Sequence, residues 1–265
     1  MRVNAKSIVL EILSAGPLLY GPSVSVRQLV KAAAVFGVAE NNVRVAIVRL
    51  RGEGLVDSRE RGHYEIGPAA DSVNDTISTW RIKPTLIVPW DGSWIGAFTG
   101  HLSRTDRPAL RRRSRALRML GFKELRAGLH VRPNNLMEGV EPICTQLRLL
   151  GLEDEAPVAR LSDLDDDTDA EARGLWNAAA LEGVFADLCD QLTTSMARVR
   201  SIPLEDAVRE SFQLSREAVR AFVLDPLLPE PLFPRDKRQE AFELACAYQD
   251  LAIDLWREYL APEDD

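Results

Sequence analysis

The stretch from Asn41 to Gly67 constrains the fold of this chain more than any other. In NNVRVAIVRLRGEGLV, Val43, Ile47 and Leu50 recur at helical spacing, and Gly54 is placed to stop the helix. Two strand-like runs, LVDSR and HYEIG, follow on either side of Glu60-Arg61-Gly62 and predict a hairpin with a charged tip. Upstream, Ile8, Val9, Ile12 and Leu13 share one helical face before GPLLYGPS interrupts the chain. Ser25 is a suitable N-cap for a second helix, VRQLVKAAAVFG, that Gly37 ends. Three helices and a hairpin in this order predict a winged helix-turn-helix over residues 1–68.

A polar stretch without periodicity follows and reads as a linker over 69–83. The next segment alternates. TLIVPWDGSWIGAF is strand material around a turn at Asp91-Gly92, and SRTDRPALRRRSRALRMLG is a helix that Gly121 closes. FKELRAGLHVRP gives strands around Gly128, EPICTQLRLLG a second helix, and PVARLSDL a last strand. Strand, helix, strand, strand, helix, strand predicts a ferredoxin-like domain over 84–162. DLDDDTDAE reads as an acidic linker. Residues 172–262 are helical in period, apart from DPLLPEPLFP, whose prolines exclude a helix interior. The fold class expected is α+β.

Charge decides which partners suit which part. The 265 residues carry a net charge of −7, yet residues 1–151 hold 22 Lys and Arg against 13 Asp and Glu. The remainder holds 11 against 27, so a polyanion suits the front half and not the back. No apolar run reaches the roughly 20 residues of a membrane span, and the polar N-terminus is no secretory leader. Cys144, Cys189 and Cys246 lie in apolar helical contexts without metal spacing, which predicts buried, reduced thiols in a cytoplasmic protein. His63, His101 and His130 fit no metal motif, and neither a nucleophile elbow nor a phosphate loop nor a dinucleotide fingerprint occurs. The expectation is a non-enzyme without metal or cofactor.

Two groups of residues stand out. With Val43, Ile47 and Leu50 facing the core, Asn41, Asn42, Arg44, Val45, Arg49 and Arg51 are left on the exposed side of the third helix. There Arg meets guanine edges or phosphates and Asn meets adenine edges. Arg59, Arg61 and His63 on the wing would add phosphate or minor-groove contacts. The alternative is a solvated basic face on a protein-interaction module. The second group is Arg111, Arg112, Arg113, Arg115 and Arg118, suited to an anionic ligand or to the acidic run Asp163–Asp169, or simply a solvated helix face. Trp90 and Trp94 are either core packing or a wall for a ligand ring. Asp91, before Gly92, is a turn residue rather than a metal ligand.

The stretch VRVAIVRLRGEGLV resembles the N-terminal domain of the PaaX-type repressors, named for the regulator of phenylacetate degradation. The resemblance continues at RALRMLGFKELRAGLHVRPNNL and again at FVLDPLLPEPLFP, three separated places that span nearly the whole chain. Where that family usually carries a Trp after the last element, this chain has PRDKRQEA, a departure that bears on the ligand if the stretch shapes its pocket. The resemblance implies a homodimer that binds a palindromic operator in double-stranded DNA and represses an aromatic-catabolism operon. It further implies release by a small-molecule effector, an aryl-CoA thioester such as phenylacetyl-CoA. A free aromatic acid or other metabolite is the alternative effector. The implied central fold is also that of the Cas2-like nucleases, which makes a metal-dependent nuclease the remote alternative.

Overall fold

The computed structural model describes residues 4–21, 23–137 and 139–261. It is a mixed fold of helices and antiparallel sheets, organised as two compact units. One runs up to Ser78 and includes Cys189–Val219 and the chain from Glu243 on; the other is Thr79–Leu188 with Arg220–Phe242.

The first unit begins with α1 (Ala5–Leu19), capped by Asn4, whose side chain accepts from the Ser7 amide at 2.9 Å. A short strand β1 (Val24–Ser25) leads into α2 (Val26–Ala34). Ser25 and Gln28 form a reciprocal capping box at its start, which satisfies two of the amides a helix leaves open there. Then come α3 (Glu40–Gly52) and the hairpin β2 (Val56–Glu60) and β3 (His63–Ile66). The sheet order is β1-β3-β2, with Val56 opposite Ile66 and Glu60 opposite His63. Gly67 closes the hairpin against the end of α3: a Cβ there would lie 2.4 Å from the Gly54 carbonyl oxygen, so no other residue fits.

The stretch expected to be a plain linker holds a helix, α4 (Asp71–Ser78), and a 3-10 turn, Lys83–Leu86. No residue of α4 is fully buried, and its apolar side is only Val73 and Ile77, too short a stripe to stand out in the sequence.

The core of this unit draws on both ends of the chain. Ile8, Leu29, Val43, Ile47 and Leu50 pack in one cluster with Val199, Val208, Leu255 and Trp256. Phe36 lies 4.8 Å from the Phe212 ring, Arg209 Nε donates to the Val35 carbonyl at 2.7 Å, and Arg216 pairs with Glu11 at 3.1 Å. These partners come from the 3-10 turn Val199–Ser201, α9 (Leu204–Val223) and α10 (Arg235–Leu260).

The second unit contains β4 (Trp94–Phe98), α5 (Arg107–Met119), β5 (Lys123–Arg126), β6 (Leu129–Pro133), α6 (Val140–Leu150) and β7 (Val158–Leu161). The strands form an antiparallel sheet in the order β5-β6-β4-β7. Strand material before Asp91 is reduced to a single bridge, Ile87 to Leu136. Side chains of β4 alternate between two covered faces. Trp94 stacks on Trp176 with ring centroids 5.9 Å apart, in a cluster with Leu125, Val131 and Ala172. His130 and Arg132, register partners of Ala97 and Ile95, face the other way. On that side Arg132 Nη1 donates to the Leu120 carbonyl at 2.7 Å, at the end of α5.

The run expected to be an acidic linker is helical over α7 (Asp166–Arg173), with Asp165 capping the Thr168 amide at 2.9 Å. Acidic side chains in a first turn favour the helix N-terminus, so this composition stabilises a helix rather than excluding one. After α8 (Ala178–Arg198) and α9, the element DPLLPEPLF is anchored by charge. Buried Asp225 accepts from Arg238 Nε at 2.7 Å, and its other oxygen accepts from the Leu227 amide at 2.9 Å. Arg238 lies in the stretch PRDKRQEA. Gly121, at φ +75°, sits so close that a Cβ would fall 2.7 Å from Pro226 Cα. The three cysteines are half-buried rather than buried.

Candidate functional site

Helix α3 is divided cleanly. Val43, Ala46, Ile47 and Leu50 are buried, whereas Asn41, Asn42, Arg44, Val45, Arg49 and Arg51 are exposed. Four apolar side chains at this spacing hold the helix down through about 1.5–3 kcal/mol each for the larger ones. The opposite face is thereby presented without contributing to that hold. Arg44 is drawn toward Glu40 one turn back, its Nη2 2.6 Å from the carboxylate. Such an exposed pair is worth about 0.3–0.5 kcal/mol and yields readily to a stronger anion. Arg49 and Arg51 have no ion-pair partner among the described residues.

The hairpin residues differ in availability. Arg61 is exposed beside Gly62, whose φ of +84° makes the turn. Arg59 is exposed but bonded to Glu65 at 2.8 Å across the hairpin. His63 is half-buried: it pairs with Ser25 of β1 in the sheet, and its Nδ1 lies 3.7 Å from Glu60. The hairpin is tied to the first helical turn of α2 by the Val26 amide, which donates to the Gly62 carbonyl at 2.9 Å.

The arginines of α5 are not one cluster. Arg113 is buried, and its Nε donates to Glu153 at 3.0 Å while Nη2 bonds the same carboxylate and the Ser103 carbonyl. The Arg113 hydrogen bond holds the Glu153 carboxyl below its usual range, and the arginine is raised in turn. Arg112 packs its Cβ against Gly151, which adopts φ +110°. Arg115 reaches the Leu150 carbonyl at 3.1 Å, and its Nε is buried with no hydrogen-bond partner among the described residues. Arg111 and Arg118 are exposed. With Leu110, Ser114 and Arg115 they line a shallow groove of about 310 Å³.

Trp90 and Trp94 do not join this group. Trp94 is fully buried, its Nε1 donating to Asp169 at 2.8 Å, and Trp90 lies edge-on to it at 5.0 Å under the Arg173 guanidinium. They occupy the sheet face opposite His130, whose pKa burial lowers. A pocket walled by both tryptophans and fed by the α5 arginines is therefore not formed. The acidic run does not meet those arginines either: Asp165 caps α7, Asp169 serves Arg173 and Trp94, and Glu171 takes Arg126. Asp91 accepts from the Ser93 hydroxyl and amide, which lowers its pKa, and bonds Arg160 at 2.7 Å. It is a turn residue, as Gly92 at φ +86° requires.

Sequence reasoning left out Val48, which is 72% exposed on the same face of α3 as Val45. The helical wheel alone identifies it. Among the described residues no helix is long and apolar enough to cross a membrane.

Residues 4–67 match the family model described as PaaX-like protein. No curated protein matches the chain in sequence. Among solved structures it is similar to the uncharacterised protein Rv0674 from Mycobacterium tuberculosis, at 22% identity and a TM-score of 0.60, covering 96% of this chain and 97% of that one. At this identity the likeness is one of fold.

Proposed function

We propose that this chain, whose residues 4–67 match the PaaX-like family model, is a DNA-binding, ligand-responsive repressor of an operon for aromatic-compound catabolism. The observation that carries the reading is the exposed face of α3, where Arg44, Arg49 and Arg51 stand beside Asn41 and Asn42 opposite a fully buried stripe. In this reading the first three helices and the hairpin are a winged helix-turn-helix. Helix α3 enters the major groove, and Arg61 at the wing tip meets a phosphate. The strand order β5-β6-β4-β7 supports a ferredoxin-like central domain. A twofold dimer would set two recognition helices about 34 Å apart, or a multiple of one DNA turn, which calls for a palindromic operator.

Fluorescence anisotropy with operator DNA tests the assignment. Arg44→Ala and Arg49→Ala should each cost about 1–3 kcal/mol and relax base preference; unchanged affinity for both would refute it. For the effector, we propose an aryl-CoA thioester such as phenylacetyl-CoA. Its anionic end would lie along the α5 groove at Arg111, Arg115 and Arg118. Arg113 and Trp94 are engaged elsewhere and take no part. Release follows if the ligand binds the DNA-incompetent state more tightly. Titration calorimetry with CoA esters and with the free acids separates the two effector classes: heat with the acids alone would overturn the thioester.

A further inference from the structure

The outward face of α3 is not uniformly basic. On a wheel of about 100° per residue, Asn41, Val45, Val48 and Gly52 fall within a sector of about 60°. That sector lies opposite the buried Val43 and Leu50. Arg44 and Arg51 flank it on one side, Asn42 and Arg49 on the other. Val45 is 40% and Val48 72% exposed, so two branched apolar side chains point straight away from the core, one turn apart. Val is a poor choice for such a position. It has weak helix propensity, and its methyl groups gain nothing from water. Gly52 continues the stripe with open space around it, which lets the backbone approach a surface closely.

We infer that Val45 and Val48 are specificity-determining residues that read thymine C5-methyl groups on the floor of the major groove. The arginines on either flank then serve the phosphates and guanine edges at its walls. The inference rests on the proposed DNA-binding function. The chemistry is that of the groove itself: thymine is the base that presents a methyl there, and an apolar side chain is what complements it. The cations on both sides of the stripe match the two phosphate strands that border a major groove, which favours DNA over an apolar protein partner for this face.

In the test, random-sequence duplexes are selected for binding to the full chain. The enriched site is then remade with deoxyuridine in place of each thymidine in turn. Removing a methyl from under Val45 or Val48 should weaken wild-type binding about fourfold, the size expected for one buried methyl group. Val48→Ala or Val45→Ala should abolish that sensitivity at the matching position, and melting should show each variant folded. Arg44→Ala should bind more weakly and keep the methyl sensitivity. Methyl removal that affects wild type and both valine variants alike, or affects none of them, overturns the inference while leaving DNA binding in place. A pool in which no sequence enriches overturns the proposed function itself, and this inference with it.

Discussion

Helices α3 and α5 make an instructive pair. Each carries arginines at close spacing, Arg44, Arg49 and Arg51 on the first and five between Arg111 and Arg118 on the second. The second is denser, yet a smaller share of it is free. Arg113 is 5% exposed and locked to Glu153 and Arg115 bonds a carbonyl, while Arg111, Arg112 and Arg118 stay exposed. On α3 the apolar residues alone secure the helix, and its cations have little structural duty beyond the Glu40 pair. Density of charge along a sequence is thus a poor measure of a binding surface. What matters is whether other side chains already hold the helix in place.

Substitutions can break that contrast. The largest expected effect is on the side of α5. Arg113→Ala strands a carboxylate and should lower unfolding stability by about 3 kcal/mol, measured by denaturant titration. Because Glu153 is held below its usual range, its contribution is present above the unfolded carboxylate value of about 4.3 and is lost as pH falls through the lower folded value. The gap between wild type and Arg113→Ala should therefore narrow in acid; a gap constant from pH 7 to pH 3 would contradict the pair. Next comes Arg49→Ala, expected to leave the melting temperature alone while weakening operator binding by about 1–3 kcal/mol. A smaller change is expected from Glu40→Gln. It should cost about 0.3–0.5 kcal/mol of stability and, by freeing Arg44, tighten DNA binding, visible in anisotropy at low salt. The smallest is Arg118→Ala, within about 0.5 kcal/mol of wild type in stability. Its effect should appear only in calorimetry with a CoA ester; a large loss of stability would show that Arg118, like Arg113, holds its helix in place.

The same contrast explains what the sequence reveals. Helices α1 to α3 and the hairpin are legible because apolar periodicity, Ser25, Gly37 and Gly54 all point to one arrangement. The alternation from β4 to β7 is legible for the same reason. Helix α4 is not, since no residue of it is fully buried, and α7 is hidden because acids in a first turn look like solvated chain. Periodicity tells which face of a helix is buried and not what covers it. That is why Val199, Val208, Leu255 and Trp256 give no sign in the sequence that they complete the core of the first unit. Trp94 escapes for a related reason. Both faces of β4 are covered, so an aromatic side chain there gives no clue to its face. On α3 the exposed residues follow from the wheel, though Val48 is easily overlooked because DNA contacts are sought among charged and amide groups.

The mixed origin of that core sets an order of events during synthesis. A chain made at 5–20 residues per second offers β3 to the solvent roughly 10–40 s before Leu255 and Trp256 follow. During that interval the first three helices have their own contacts but not their full cover. The surface proposed to meet DNA is thus encoded first and finished last, and a ribosome stalled in α9 would hold that surface on a core that is not yet complete.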